Sequence, residues 1–172
     1  AVNSIGKLFT WGGNAGGQLA LDANGSGAVY PNAWNTNNAG GASVKYDGTL
    51  WVWGPNASGQ LGDGTTVAKS SPVQIGTSSW TAVAAGASHV AAVRSGSTLF
   101  AWGYNNSGQI GDGTTTNYSS PVQIGSSSWT AIAAGVQHTA AIRSNVTLFV
   151  WGKNDAGQLG DGTSTSKSSP VQ

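Results

Sequence analysis

The sequence predicts an all-β repeat domain, and three observations lead to that prediction. A motif that begins W-G-x-N-x-x-G-Q opens at Trp11, Trp53, Trp102 and Trp151, so its copies are spaced by 42, 49 and 49 residues. The helix-favouring residues Glu and Met are absent, whereas Thr, Val and Trp are plentiful. Short apolar runs alternate with Gly, Ser, Asn and Pro, as in a chain of short strands joined by turns.

The two complete repeats, 53–101 and 102–150, have the same residue at 34 of their 49 positions. Four short strands are predicted in each of them, because four apolar runs are bounded by turn-forming residues. In the first complete repeat they are 73–75, 80–85, 89–94 and 99–102. We therefore expect about four strands for every 49 residues.

The two ends of the chain depart from this pattern. The first unit, 1–52, is atypical: after Gln18 the G-D-G-T-T element is replaced by segment 19–41, which has no strand periodicity. This segment is interpreted as a modified terminal blade or an inserted loop, because terminal repeats are often irregular. The last unit, 151–172, is a partial repeat. We expect one repeat domain, 1–172, that forms part of a longer polypeptide.

Both faces of the predicted strands are apolar. In L-F-A-W, Leu99 and Ala101 alternate with Phe100 and Trp102, so a sheet with one face in water does not fit. In a β-propeller each blade packs face to face against its neighbours, which buries both faces. The sequence thus predicts a partial β-propeller of four-stranded antiparallel blades, with about 3.5 repeats of 49 residues.

Composition excludes several classes of function. The formal net charge is +1 and the chain has no cysteine. Nucleic-acid binding is not expected, since it requires clustered positive charge. No apolar run approaches the roughly 20 residues of a membrane span, so membrane insertion is not expected either. No cofactor-binding or catalytic motif is present, and we predict that the domain is not an enzyme.

Repeated polar residues have structural interpretations. Asp63, Asp112 and Asp161 each lie in Gly-Asp-Gly, where one carboxylate per repeat cannot supply the ligands of a metal, but Asp-Gly suits a tight turn with positive φ. The histidines at equivalent positions, His89 and His138, have no ligand or catalytic partner nearby in sequence and are expected to hydrogen-bond a blade turn. The arginines that end the same strand, Arg94 and Arg143, are expected to be solvated or paired with Asp.

Positions at which the repeats differ are the candidates for partner contacts. They lie in predicted loops, which usually carry binding specificity on a regular scaffold. The candidates are long or aromatic side chains among small polar ones: Tyr104, Tyr118, Lys69, Lys153 and Lys167. Asn-x-Ser/Thr triplets, including those at Asn56 and Asn105, could accept glycans in a eukaryotic secretory pathway, but chance matches are expected in a chain this rich in Asn, Ser and Thr.

The stretches LFAWGYNNSGQIGDGTT, SSPVQIG and WTAIAAGVQHTAAIRS resemble the regulator of chromosome condensation repeat family, from Leu8 to the end of the chain with a weaker part between 20 and 41. The resemblance implies a seven-bladed propeller, in a family that includes a nucleotide exchange factor, chromatin-binding modules and a secreted β-lactamase inhibitor. The regular spacing is also similar to repeats of bacterial surface and phage structural proteins. Seven blades would be completed by further repeats of a longer chain, which is the simpler arrangement, or by two chains.

Three functional hypotheses follow from these observations. The first is a structural or protein-binding module of a larger protein on an extracellular or virion surface, which contacts protein partners or neighbouring subunits. The second is an intracellular regulator of a small GTPase, similar to the exchange-factor members of the family. The third is a surface protein that binds or acts on glycans, for which action would require two carboxylates across a cleft.

Overall fold

The structure, a computed structural model, describes residues 29–34 and 40–172. Eleven strands lie in this part of the chain: β1 (Val29–Trp34), β2 (Gly41–Lys45), β3 (Leu50–Gly54), β4 (Lys69–Gln74), β5 (Trp80–Ala85), β6 (His89–Arg94), β7 (Thr98–Gly103), β8 (Tyr118–Ala134), β9 (His138–Arg143), β10 (Leu148–Gly152) and β11 (Lys167–Val171). All of the strand pairs are antiparallel. The predicted all-β fold is confirmed.

The strands form three blades of a propeller. The first blade is a four-stranded sheet in the order β1-β2-β3-β4. The second and third blades share one seven-stranded sheet, β11-β10-β9-β8-β7-β6-β5, because β8 is long enough to be the last strand of one blade and the first strand of the next. Its first part pairs with β7 and its second part with β9. Four strands therefore serve each blade, as the repeat predicts.

One strand prediction needs correction. The strand predicted at 73–75 is β4, which already begins at Lys69 and ends at Gln74. The Ser-Ser-Pro stretch suggests a turn, but β4 is an outer strand of its sheet, where Pro72 removes no ladder hydrogen bond. Segment 19–41, interpreted as a modified terminal blade or an inserted loop, contains β1, which pairs with β2 and so belongs to the first blade. Residues 1–28 and 35–39, which include most of that segment, lie outside the described residues.

Both faces of the second blade are covered, as predicted. Phe100 and Trp102 belong to a core cluster shared with the first blade, while Leu99 and Ala101 belong to a cluster shared with the third. Leu99, Ala101 and Trp102 have no exposed surface at all. The core thus consists of the two interfaces between blades, so each blade depends on its neighbours for its apolar contacts.

A tryptophan from each later blade fits against a turn of the preceding blade. The Trp102 indole Nε1–H donates to the carbonyl oxygen of Gln60 at 3.0 Å, and Trp151 Nε1–H donates to Gln109 O at 2.9 Å. The ring lies so close to the turn that an ideal Cβ on Gly111 would be 2.5 Å from Trp151 Nε1. Glycine is required here for space as well as for its φ of 88°.

Substitutions at Gly111 and Gly113 distinguish the need for space from the need for a positive φ. Both have φ of 88°, but the nearest atom to an ideal Cβ on Gly113 is Ser169 Oγ at 3.6 Å. We expect Gly113→Ala to cost about 1 kcal/mol of unfolding free energy through backbone strain alone. Gly111→Ala should cost at least about 2 kcal/mol more, because it also displaces a buried indole and its hydrogen bond. Urea unfolding of the two variants checks this, and equal losses would contradict the steric explanation.

Candidate interaction surface

A buried asparagine organises the loop between the third and fourth strands of every blade. Asn56, Asn105 and Asn154 are at most 1% exposed. The Asn105 Oδ1 accepts from the backbone N–H of Ile110 at 2.9 Å, and its Nδ2 donates to the carbonyl oxygen of Thr114 at 3.1 Å. The side chain thereby joins two parts of the loop, as buried amides do when all of their polar atoms are paired. This role is not evident from the sequence, in which Asn56 and Asn105 stand out only as parts of glycan triplets, and their burial rules out a glycan at either side chain.

The aspartate of each Gly-Asp-Gly turn is held by the same loop. Asp161 Oδ1 accepts from the backbone N–H and the hydroxyl of Thr163 at 3.0 and 2.8 Å, and from Asn154 Nδ2 at 3.0 Å. The hydrogen bonds of Thr163, followed by that of Asn154 and the charge of Lys167, lower the pKa of Asp161 to about 2. The carboxylate is therefore used within the turn, as predicted from the Asp-Gly pattern.

Asp63 and Asp112 repeat this arrangement in the first two blades. Burial raises the pKa of Asp63, but the hydrogen bonds from Thr65, and then those from Lys69 and Asn56, outweigh it, so the pKa is lowered. For Asp112, burial is outweighed first by the hydrogen bond from the Tyr118 hydroxyl. No group of three or more His, Cys, Asp or Glu in the described ranges could hold a metal ion.

Three of the candidate contact residues occupy one position in successive repeats. The ammonium groups of Lys69 and Lys167 lie 3.2 and 3.4 Å from the carboxylates of Asp63 and Asp161, respectively. Tyr118 takes the same place beside the aspartate of its own repeat. All three therefore have a partner within their own turn.

The other two candidates occupy a different shared position, directly after the Trp-Gly pair. Tyr104 is half-buried and its backbone N–H donates to Ser88 O at 2.7 Å. The Lys153 ammonium lies 3.1 Å from an oxygen of the exposed Asp155 carboxylate. In the first blade the position is taken by Pro55. The same backbone conformation therefore carries a proline, a tyrosine and a lysine at equivalent positions of successive blades. The loops that hold these three positions are called the rim.

The two histidines differ in their surroundings. His89 is buried between the second and third blades, with Nε2 2.9 Å from Thr139 Oγ1, which itself donates to Gln109 O at 2.8 Å. Its side-chain partner is therefore a strand residue of the next blade, and the predicted partner in a turn is wrong. Burial, with a smaller contribution from His138, lowers the pKa of His89 to about 4. His138, on the third blade, is only half-buried.

The strand-end arginines stack on aromatic rings. Arg94 Cζ lies 4.0 Å from the centre of the Phe100 ring and 4.9 Å from that of Trp80. Arg143 stacks in the same way on Trp129 and Phe149 of the third blade. In the first blade, Lys45 Nζ lies 4.1 Å from the centre of the Trp51 ring. Both arginines are half-exposed, so the predicted contact with solvent holds, and no ion pair with Asp is found for them among the described residues. The guanidinium is attracted to the ring faces at the outer edge of the interface.

A family model for the regulator of chromosome condensation (RCC1) repeat matches residues 47–93, 97–142 and 147–172, and a second model of the same repeat matches 80–109 and 129–158. The chain belongs to the RCC1 repeat family. The buried Asn and the Gly-Asp-Gly turn lie within these matched RCC1 repeats. No curated protein matches the chain.

Solved structures share the fold of this chain. Human WBSCR16 is 25% identical, with a TM-score of 0.74 over 84% of this chain and 39% of its own. Prp20p from Saccharomyces cerevisiae is 21% identical, with a TM-score of 0.70 over 83% of this chain and 37% of its own. Yeast RCC1 (Prp20) in complex with Kap60 is 17% identical, with a TM-score of 0.77 over 99% and 45%. The chain spans less than half the length of each of these proteins.

Asn105→Asp tests the role of the buried amide. The variant loses the donors to Thr114 O and places a second carboxylate beside Asp112, whose Oδ1 is 3.4 Å from Nδ2. We expect a loss of about 2–4 kcal/mol of unfolding free energy. The exposed neighbour supplies the control, since Asn106→Asp should change stability by less than about 0.5 kcal/mol. Similar unfolding midpoints in urea for both variants would contradict a structural role for Asn105.

The buried imidazole predicts a dependence of stability on pH. The unfolded-state pKa of 6.5 lies above the folded-state value of about 4, so protonation favours the unfolded chain. The free energy of unfolding should be highest above pH 6.5 and should fall as the pH approaches 4, by about 2–3 kcal/mol. Urea unfolding at pH 7 and 4.5 measures this loss. The difference should shrink in His89→Gln, and an unchanged difference would assign the loss to other groups.

Proposed function

We propose that the chain is a non-enzymatic, protein-binding propeller module of a larger protein on an extracellular or virion surface. The observation that carries this proposal is that a different side chain occupies the rim position after each Trp-Gly pair. The buried asparagines fix the loops, while Pro55, Tyr104 and Lys153 occupy equivalent places on them. A rigid scaffold with variable loop residues suits recognition of a protein partner.

The charge and burial of the described residues support a structural or binding role over catalysis. The Gly-Asp-Gly carboxylates of all three blades are engaged within their turns. Their lowered pKa values keep them ionised at neutral pH, which disfavours a general acid. Glycan hydrolysis would need two carboxyl groups that face each other across a cleft, one of them with a raised pKa. Among the described residues no helix is long and apolar enough to cross a bilayer.

A second candidate is regulation of a small GTPase. It is favoured by the fold of Prp20p, whose structure is described together with its binding to Gsp1p and histones. The 21% identity shows the fold alone, and the chain covers 37% of that protein. Stable binding of a nucleotide-free GTPase to the purified chain would favour this candidate over the surface module.

Site-specific photo-crosslinking tests the surface module. The photoreactive residue p-benzoylphenylalanine replaces Tyr104 on the rim in one variant and Tyr46 in the other. Tyr46 is 91% exposed and lies between β2 and β3, at the opposite end of the strands from the rim loops. With purified particles or cell surfaces of the source organism, we expect a crosslinked protein from position 104 and none from position 46. Crosslinking from neither position, or only from position 46, would contradict recognition through this rim.

A further inference from the structure

A groove lies between the first two blades and has a volume of about 730 Å³. Its lining extends from the Gly-Asp-Gly turn of the first blade to Arg94 at the end of β6. The first blade contributes the apolar side chain of Val73 from β4, and the second contributes Pro121 from β8. Gln74 and Ser120, which also line the groove, are exposed. The groove is therefore open to a molecule outside the chain.

One cation of this groove has no acidic partner. The lining holds two positive side chains and one negative side chain. Lys69 lies 3.2 Å from the carboxylate of Asp63, so these two charges offset each other. Arg94 is half-exposed and forms no ion pair among the described residues. The unbalanced charge of the groove is therefore that of the Arg94 guanidinium.

Aromatic rings hold this guanidinium in place. Arg94 stacks on Phe100 and Trp80, and the centres of these two rings lie 5.7 Å apart in an edge-to-face arrangement. A guanidinium that is already held loses little side-chain entropy when it binds an anion. The stacking therefore prepares Arg94 for a bidentate contact with a carboxylate.

Two buried N–H donors at this place lack an acceptor. They are Trp80 Nε1–H and Arg94 Nε–H, and neither has a hydrogen-bond partner in the described part of the chain. Both residues line the groove. Buried polar groups in proteins are nearly always paired. An oxygen acceptor supplied from outside the chain would complete the hydrogen bonding here.

The same arrangement recurs at the next interface between blades. Arg143 Cζ lies 3.9 Å from the centre of the Phe149 ring and 5.1 Å from that of Trp129. The Nε–H of Arg143 and the Nε1–H of Trp129 also have no acceptor among the residues that the structure describes. Trp80 and Phe100 pack in the cluster shared with the first blade, and the later pair packs in the cluster shared with the second. The arrangement therefore belongs to the interfaces between the described blades.

We propose that the groove between the first two blades binds an acidic segment of a protein partner. A carboxylate of the partner accepts hydrogen bonds from the Arg94 guanidinium, while apolar side chains beside it contact Val73 and Pro121. The inference rests on the proposed function, because it takes the partner to be a protein, and it adds a second contact surface with the chemistry of the segment that binds there.

Two other classes of anionic partner fit the groove less well. Sugar rings bind by stacking on exposed aromatic faces, but Trp80 and Phe100 are only 2% and 8% exposed. Nucleic acids bind through many cations at once, whereas the groove has a single unbalanced one. An acidic peptide needs only that one cation and the apolar side chains around it.

NMR spectroscopy of the isotope-labelled chain tests the contact directly. The probe is a peptide of alternating aspartate and valine, and its control has asparagine in place of each aspartate. We expect the acidic peptide to shift the side-chain N–H signals of Arg94 and Trp80, and the neutral peptide to leave them unchanged, because only the carboxylate pairs with the guanidinium. Unchanged signals with both peptides, or equal shifts with both, would overturn the proposal.

Fluorescence polarisation of the labelled acidic peptide supplies a second measurement. Arg94→Gln/Arg143→Gln should weaken its binding about ten-fold or more, because a charge-assisted contact is lost at each interface. The matched control, Lys153→Gln/Lys167→Gln, removes the same charge from other loops and should change the affinity by less than about two-fold. Equal weakening by the two variants would assign binding to net charge and overturn the proposal.

Tighter binding of a sulfated oligosaccharide than of the acidic peptide would also overturn it, in favour of a glycan. The NMR measurement uses the parent chain, so the proposal stays testable if the double arginine variant does not fold. Crosslinking from Tyr104 reports on the rim and not on this groove. Failure of peptide binding is therefore distinguishable from failure of the proposed function.

Discussion

The packing of a tryptophan indole against a glycine turn of the preceding blade is the interaction on which the loop conformations and the contacts between blades depend. Trp102 and Trp151 are completely buried, and each donates its N–H across the interface. Removing a buried tryptophan typically costs about 3–5 kcal/mol. Here the loss would also remove the packing that defines the turn, because the ring contacts backbone at Gly62 or Gly111. One contact therefore couples the conformation of a loop to the association of two sheets.

The buried asparagine extends that coupling to the rim. It connects the residues before the glycine turn to those after it, so the loop between the third and fourth strands behaves as one hydrogen-bonded unit. The residue between Trp-Gly and Asn takes no part with its side chain in this network. Pro55, Tyr104 and Lys153 are therefore exchanged at little cost to the fold. Separation of a fixed frame from an exchangeable side chain is what allows such a rim to acquire specificity.

Those parts of the structure that depend on local pattern could be predicted from the sequence. The strands at 80–85 and 89–94 match β5 and β6, and the apolar character of both faces around Leu99 correctly implies a blade on each side. The partner of His89 could not be predicted, because Thr139 is 50 residues away and meets it only across the interface. The role of Asn105 left one signal, its recurrence in every copy of W-G-x-N. That signal was masked by the high Asn content and by an overlapping glycan triplet.

Identical residues in different blades show that stability here belongs to interfaces more than to single sheets. His89 is buried while His138 is half-buried, and Leu99 is buried while Leu148 is not, although the strands that carry them are nearly the same. In a repeat array each unit gains most of its free energy from its neighbours. A blade at the end of the array therefore keeps the backbone conformation of the inner blades but lacks half of their apolar burial.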